Sequence, residues 1–371
     1  MFFVKKVLLL PFLQISSGHH QVADAIAAYL KKADPFMQCK TVDLFHYTSK
    51  RLEKMTSALY LWAIKMLPDF YSKIYIRNAY LNDKPDQSFL FYEKLFLKSM
   101  KKLLSEENPD IVICTHCLPS YLLNVLKNNG EFTGFVVNSY TDFFINTVWG
   151  IKNIDLHIVP SVTHKRFLVE KQIDAARVIV TGIPVHPTFN GQVPDRKRRA
   201  TFNILITGGN LGVGSIGDLC GKLIPSQKMK YFVLCGKNKT LFQKLKKLAS
   251  PSVVPLEYIE SREQMNRLYD EMDLVVTKPG GVTISECLVK KLPILLLRAL
   301  PGQEEINEAF LRENKLVLEL PRGLMIKSME EEIIAFLEND HLRNQHRETV
   351  TAFLEKYEDF NRVVEYLYKR L

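Results

Sequence analysis

The sequence predicts an α/β protein built as two doubly wound parallel-sheet domains, and three observations predict it. Short apolar runs fit for buried strands alternate with segments of helical periodicity along both halves of the chain. Several of these strands run into turns carrying glycine, serine or threonine, as at 16–19, 208–214 and 278–281. A polar, turn-rich, basic stretch, NGQVPDRKRR at 190–199, lies between the halves and has the composition of a linker. The expected division is a first domain over 1–190, a linker over 191–201, and a second domain over 202–371 closed by helices in 328–371. A chain of 371 residues is long enough for two cores of this size.

Composition narrows the class of partner. A hydrophobic fraction of 47% and a charged fraction of 24% are those of an ordinary globular protein. The net charge of +10 suits an anionic partner, whether nucleic acid, an anionic membrane surface or an anionic small molecule. No nucleic-acid motif is present, so nucleic acid is not expected. Six irregularly spaced cysteines do not look like a disulfide framework, which points to a reducing, cytoplasmic setting. Cys114 and Cys117 form a C-x-x-C, but no second pair completes a zinc site, and no metal or other cofactor is expected. The apolar run in MFFVKKVLLLPFL is too short to span a bilayer, and no other stretch approaches the roughly 18 to 20 apolar residues that spanning needs. The chain is therefore expected not to be integral to a membrane.

In chain order, residues 7–12 read as the first strand, followed by the turn Ser16-Ser17-Gly18-His19 and a helix carrying Val22, Ala23, Ile26, Ala27 and Leu30. Small residues there admit a ligand, and the His19 imidazole at the mouth of the turn has the chemistry of a base near neutral pH; a lone histidine is also often structural. Residues 47–80 are aromatic and basic. Leu59, Trp62, Ala63, Met66 and Leu67 share a helical face, with Lys50, Arg51, Lys54, Lys65, Lys73 and Arg77 around them, which suits either an interfacial helix or a core helix with a solvated basic side. Strands are expected at 110–114, ending in Thr115-His116, and at 136–140, ending in Thr141-Asp142. Further strands are expected within 155–161 and 178–185. The second half opens with a strand from Phe202 and the loop Gly208-Gly209-Asn210-Leu211-Gly212-Val213-Gly214, then strands at 231–236, ending at Gly236, and at 256–259.

Residues 274–311 carry the densest chemistry. A strand at 274–276 breaks at Lys278-Pro279-Gly280-Gly281 into a helix, and a strand at 294–297 breaks at Pro301-Gly302 into another, with Glu304 and Glu305 in its first turn. A glycine pair at the carboxyl end of a parallel strand lets a ligand reach the backbone, and the following helix offers free amides and a positive dipole end. A diphosphate fits that arrangement, although neither G-x-x-x-x-G-K-[ST] nor G-x-G-x-x-G occurs. Thr283 and Glu286 stand at capping-box spacing, so each alone is read equally as a helix cap.

The string T-K-P-G-G-x-T-x-S-E, followed by L-P and P-G-Q-E-x-x-N, resembles the donor-binding signature of the monogalactosyldiacylglycerol synthase and diacylglycerol glucosyltransferase group. S-x-G-H-x-x-x-A at 16–23 resembles that group's G-x-G-H-x-x-x-A, with Ser16 in place of glycine; T-H-x-x-P at 115–119 and T-D-F at 141–143 with Trp149 are similar to further motifs, with Asn146 where the group has histidine. VTGIPV at 180–185 and VLCGKN at 233–238 extend the resemblance over most of the chain.

The resemblance implies the two-domain GT-B fold of glycosyltransferase family 28 and a UDP-sugar donor, held in a cleft between the domains. It assigns donor contacts to Gly18, to Gly208, Gly209, Asn210 and Gly212, to Gly236, and to Lys278, Pro279, Gly280, Gly281, Thr283, Glu286, Gly302, Gln303, Glu304 and Asn307. Among these Glu286 takes the ribose hydroxyls, and Gln303, Glu304 and Asn307 the sugar. It makes His19 the base, with Asp142 as its partner or substitute, and places Tyr60, Trp62, Lys65 and Trp149 on the membrane or acceptor side. It further implies inversion, a lipid acceptor, diacylglycerol foremost, and peripheral attachment to an anionic surface on the inner face of the membrane. No D-x-D occurs to hold a metal, so the amides at 279–281 are expected to stabilise the leaving diphosphate. Two other classes fit the same motifs: a nucleotide-sugar 2-epimerase, and a non-catalytic sugar-nucleotide sensor, for which Asn146 is the encouraging feature.

Overall fold

A computed structural model describes residues 5–12, 18–48, 89–191, 200–208, 227–297, 299–319 and 326–370. It divides into two compact units: Met1–Pro187 with Pro301–Gln303 and Lys356–Leu371, and Thr188–Leu300 with Glu304–Glu355.

The first unit holds a six-stranded, wholly parallel sheet of β1 (Lys6–Leu10), β2 (Gln38–Thr41), β3 (Ile111–Cys114), β4 (Phe135–Ser139), β5 (Leu156–Val159) and β6 (Val178–Val180) in the order β2-β1-β3-β4-β5-β6. Its helices are α1 (Gly18–Ala33), α2 (Leu44–Thr48), α3 (Leu90–Glu107), α4 (Cys117–Asn128) and α5 (Val162–Glu170). Every residue of β3 and β5 is buried, as expected of parallel strands covered on both faces. Helices α1, α3 and α4 close over the sheet through Val22, Ile26 and Leu30, through Phe96, Met100 and Leu103, and through Leu122, Leu123 and Leu126. Each such side chain contributes roughly 1.5–3 kcal/mol by leaving water.

The second unit has a five-stranded parallel sheet of β7 (Phe202–Thr207), β8 (Met229–Leu234), β9 (Val253–Leu256), β10 (Leu274–Thr277) and β11 (Ile294–Leu296) in the order β11-β10-β7-β8-β9. Its helices are α6 (Lys239–Lys247), α7 (Arg262–Glu271), α8 (Gly281–Val289), α9 (Gln303–Glu313), α10 (Ile326–Glu338) and α11 (Asp340–Leu354). In each sheet the strand order reverses once, between β1 and β3 and between β7 and β10. Such switch points are where open α/β sheets hold ligands, at the carboxyl ends of the strands.

The end of the chain departs from the expected division. A last helix, α12 (Phe360–Tyr368), lies in the stretch that composition assigns to the second domain, yet it packs in the first unit. It buries Phe360, Val363, Val364 and Leu367 along one face, and that face finds its partner on α1, where Phe360 meets the Tyr29 ring at 4.5 Å. The approach is fixed by one backbone bond, from the Glu358 N–H to the Val180 carbonyl at the end of β6 (2.6 Å), and by the Val180 N–H, which donates to Glu358 Oε1 at 3.2 Å. It is fixed as well by Tyr357, which lies against Gly182. Gly182 has φ +79, and a Cβ there would stand 2.4 Å from the Tyr357 ring, so both backbone and space demand glycine.

Candidate active site

The first cluster gathers at the switch point of the first sheet. Residue His19 is the second residue of α1, and Thr115 follows β3, whose carboxyl end lies beside that of β1. The two residues clasp each other: His19 Nδ1 donates to the Thr115 carbonyl at 2.7 Å, and Thr115 Oγ1 donates to the His19 carbonyl at 3.0 Å. Thr141 Oγ1, just past β4, stands 2.9 Å from the same Nδ1. A carbonyl only accepts, so the proton of the neutral ring sits on Nδ1 and the lone pair on Nε2. Burial lowers the pKa of His19 from its ordinary value, while the Asp142 carboxylate and the Thr115 carbonyl pull it back up. The ring is thus held as a neutral base with one tautomer.

The residue next to Thr115 supports this. His116 caps α4 through Nδ1, which accepts from the Leu118 N–H at 3.1 Å. Its ring stacks on Phe12 at 4.6 Å and meets His19 edge-on at 4.7 Å. Burial, and repulsion from the His19 ring whenever that ring is protonated, keep His116 well below the usual imidazole range. Beside it, His20 Nε2 pairs with Asp43 Oδ1 at 2.7 Å.

Cys114 and Cys117 are both free, and burial pushes both thiols up, Cys117 to about 12. Residue Asn146 is buried, and its Oδ1 accepts from the Val148 N–H at 3.0 Å, so its amide shapes the turn after β4 and also bonds the Cys117 thiol. Trp149, expected on the acceptor side, lies in the core of the first unit at 7% exposure, its ring 4.6 Å from that of Tyr140. An indole this deep packs the fold and offers no surface to a membrane.

The second cluster lies at the switch point of the other sheet. Gly208 follows β7 and is buried; Gly209, Asn210 and Gly212 lie outside the described residues, as do Tyr60, Trp62 and Lys65. Gly236, after β8, has φ +58, and Gly302, before α9, has φ +94. After β10 the chain turns through Lys278 and Pro279, and α8 begins at Gly281 with Gly280 as its cap. This corrects the capping-box reading. Thr283 sits inside the first turn, no side chain caps the helix, and Glu286 faces inward at 5% exposure. The leading amides of α8 are therefore left to whatever anion approaches. At Gly280 an added Cβ would meet nothing within 4 Å, so the space over the turn is open.

The residues expected to hold the sugar brace this turn. Asn307 Nδ2 donates to the Pro279 carbonyl at 3.0 Å from a buried position on α9. Glu304 Oε2 accepts from the Leu300 N–H at 2.7 Å, and its other oxygen lies 3.7 Å from Lys278 Nζ. Gln303, at the start of α9, is partly exposed. Glu286 accepts from the Tyr269 hydroxyl at 2.8 Å, with Arg262 4.0 Å from its other oxygen. Burial raises the Glu286 pKa, and Arg262 and Tyr269 oppose that rise. The sequence named Thr115 and Thr141 only as motif letters, and it gave no signal for Tyr269 or Arg262, whose roles exist only once α7 lies on α8.

Comparison with known proteins follows the same two halves. The family model described as monogalactosyldiacylglycerol (MGDG) synthase matches residues 19–185, and that of the glycosyltransferase family 28 C-terminal domain matches 203–319. An uncharacterized glycosyltransferase of Bacillus subtilis, YkoN, is 42% identical over 96% of this chain and 95% of its own length. A processive diacylglycerol beta-glucosyltransferase of Bacillus pumilus is 30% identical over 83% of this chain and 81% of its own. Among solved structures, Acinetobacter baumannii MurG aligns over 98% of this chain and 99% of its own with a TM-score of 0.60, and the UDP complex of S. aureus MnaA over 99% and 98% with 0.61. Their identities, 15% and 13%, carry the likeness of fold alone.

Proposed function

The chain belongs to the glycosyltransferase family of the monogalactosyldiacylglycerol synthases and processive diacylglycerol glucosyltransferases, and from that membership we propose that it moves a hexosyl group from a UDP-sugar to a lipid hydroxyl, with inversion. In this reaction the acceptor oxygen attacks the anomeric carbon, the bond from that carbon to the UDP oxygen breaks, and the acceptor proton passes to His19 Nε2. Direct displacement by a single attacking oxygen inverts the anomeric centre. The observation that carries the proposal is the state of His19: its Nδ1 is committed to Thr115, which leaves Nε2 as the basic nitrogen. The diphosphate leaves toward the amides of α8, whose dipole and uncapped N–H groups offset its charge without a metal.

Diacylglycerol is the acceptor we favour, because curated relatives are named for that lipid. The surface of the first unit supports a peripheral position on the membrane. No helix among the described residues is long and apolar enough to cross a bilayer. Yet the start of α3 exposes Leu90 at 62%, Phe91 at 74% and Tyr92 at 39%, followed by exposed Lys94, Lys98, Lys101 and Lys102. An apolar tip with lysines behind it suits an anionic interface, where each lysine adds about 1 kcal/mol. The protein is expected to sediment with vesicles containing anionic lipid, less so at high salt, and Phe91→Ser with Lys94→Glu is expected to weaken that binding without lowering the melting temperature. Wild-type protein that stays in the supernatant of anionic vesicles at low salt would remove the membrane half of the proposal.

A further inference from the structure

We propose that Tyr269 is a positioning residue of the donor site, its hydroxyl fixing the Glu286 carboxylate in the direction from which it takes the ribose hydroxyls. The inference rests on the reading of Glu286 as the ribose contact and deepens it. Tyr269 is 1% exposed on α7, Glu286 is 5% exposed on α8, and the hydroxyl donates to Oε2 at 2.8 Å. Arg262 reaches Oε1 only at 4.0 Å, beyond hydrogen-bond length, and so acts as a nearby charge. Arg262, Asn266 and Tyr269 follow at helical spacing on one face of α7, and the next residue, Asp270, pairs with the almost wholly buried Lys290 at the C-cap of α8 at 2.5 Å.

Two helices are joined as well by apolar side chains as by buried polar ones, and often better. What a tyrosine adds to such a contact is direction. An ionised carboxylate has about four lone-pair sites. Tyr269 fills one and Arg262 none, so both oxygens keep capacity for a pair of vicinal hydroxyls. Burial raises the Glu286 pKa and so favours its neutral form, in which one oxygen becomes a donor; the Arg262 charge and the Tyr269 bond oppose that shift and favour the carboxylate. The Tyr269 ring itself packs 5.8 Å from that of Phe189, so Tyr269→Phe removes the hydroxyl and keeps the packing.

Calorimetric titration with UDP and with 2′,3′-dideoxy-UDP separates this role from a structural one. Wild-type protein is expected to prefer UDP, and Glu286→Ala to lose that preference. Tyr269→Phe is expected to weaken UDP by about tenfold, the scale of one hydrogen bond to a charged group, while leaving dideoxy-UDP unchanged. Equal weakening of both nucleotides, or a preference kept in full by Tyr269→Phe, overturns the positioning role while the Glu286 reading stands. A wild-type protein indifferent to the ribose hydroxyls overturns the Glu286 reading and the inference with it.

Discussion

The basic lone pair of His19 is set by a single backbone contact. Because Nδ1 donates to the Thr115 carbonyl, the neutral ring presents Nε2, and the other neutral tautomer would leave that carbonyl without its donor. Burial depresses the pKa, so the fraction of free base stays high down to pH values below the ordinary histidine range of about 6.5. The sign of the Asp142 effect follows: its carboxylate favours the imidazolium and raises the pKa. Replacing it, as in Asp142→Asn, is expected to move the acid limb of the kcat/KM profile to lower pH. The same change is expected to reduce the rate on the plateau, since a weaker base takes the acceptor proton less readily. His19→Ala is expected to lower kcat by on the order of 10² to 10⁴ while UDP affinity stays within about twofold. An acid limb that stays in place in Asp142→Asn, or moves upward, contradicts the pairing, and an unchanged kcat in His19→Ala removes the base.

At the scale of elements, the uncapped start of α8 decides how the donor is held. Gly280 has φ −86 and ψ 144, a conformation open to any residue, and a Cβ there meets nothing within 4 Å. The fold alone does not require a glycine at this position. Gly280→Ala loses a little as a cap and gains about 0.4–1 kcal/mol from a stiffer unfolded chain, so the melting temperature is expected to hold within a few degrees. Its methyl group stands where a diphosphate would approach the amides, and UDP affinity is expected to fall severalfold by calorimetry. Undiminished affinity would mean that the anion lies elsewhere.

The same elements mark what the sequence made legible. Strands and their glycine turns were readable because buried parallel strands and sharp breaks leave local signals: β3, β7 and β10 lie within a residue or two of where the apolar runs placed them. The capping box at Thr283 and Glu286 misled because spacing does not reveal where a helix starts; the turn at Pro279 lets α8 begin at Gly281, two residues before Thr283, and rotates Glu286 inward. Trp149 and α12 were misplaced for a shared reason, that an aromatic or amphipathic segment looks alike in sequence whether its apolar side meets a membrane, one domain or another. The Tyr269 contact was invisible because it depends on the register of two helices.

For the molecule as a whole, two parallel sheets each bring functional groups to a switch point: a tautomer-fixed imidazole in the first unit, a glycine turn and free helix amides in the second. The net charge of +10 and the exposed aromatic and lysine residues of α3 suit an anionic lipid surface. Hexosyl transfer to a lipid without a metal is the reaction we propose for them. The most direct measurement incubates the full chain with a radiolabelled panel of UDP-hexoses and diacylglycerol-bearing anionic vesicles in excess chelator, then resolves lipid and aqueous products. The account predicts label in a neutral glycolipid with inverted anomeric configuration. Label confined to the aqueous phase with every hexose tested, whether as unchanged donor, free sugar or an epimerised sugar nucleotide, would contradict it.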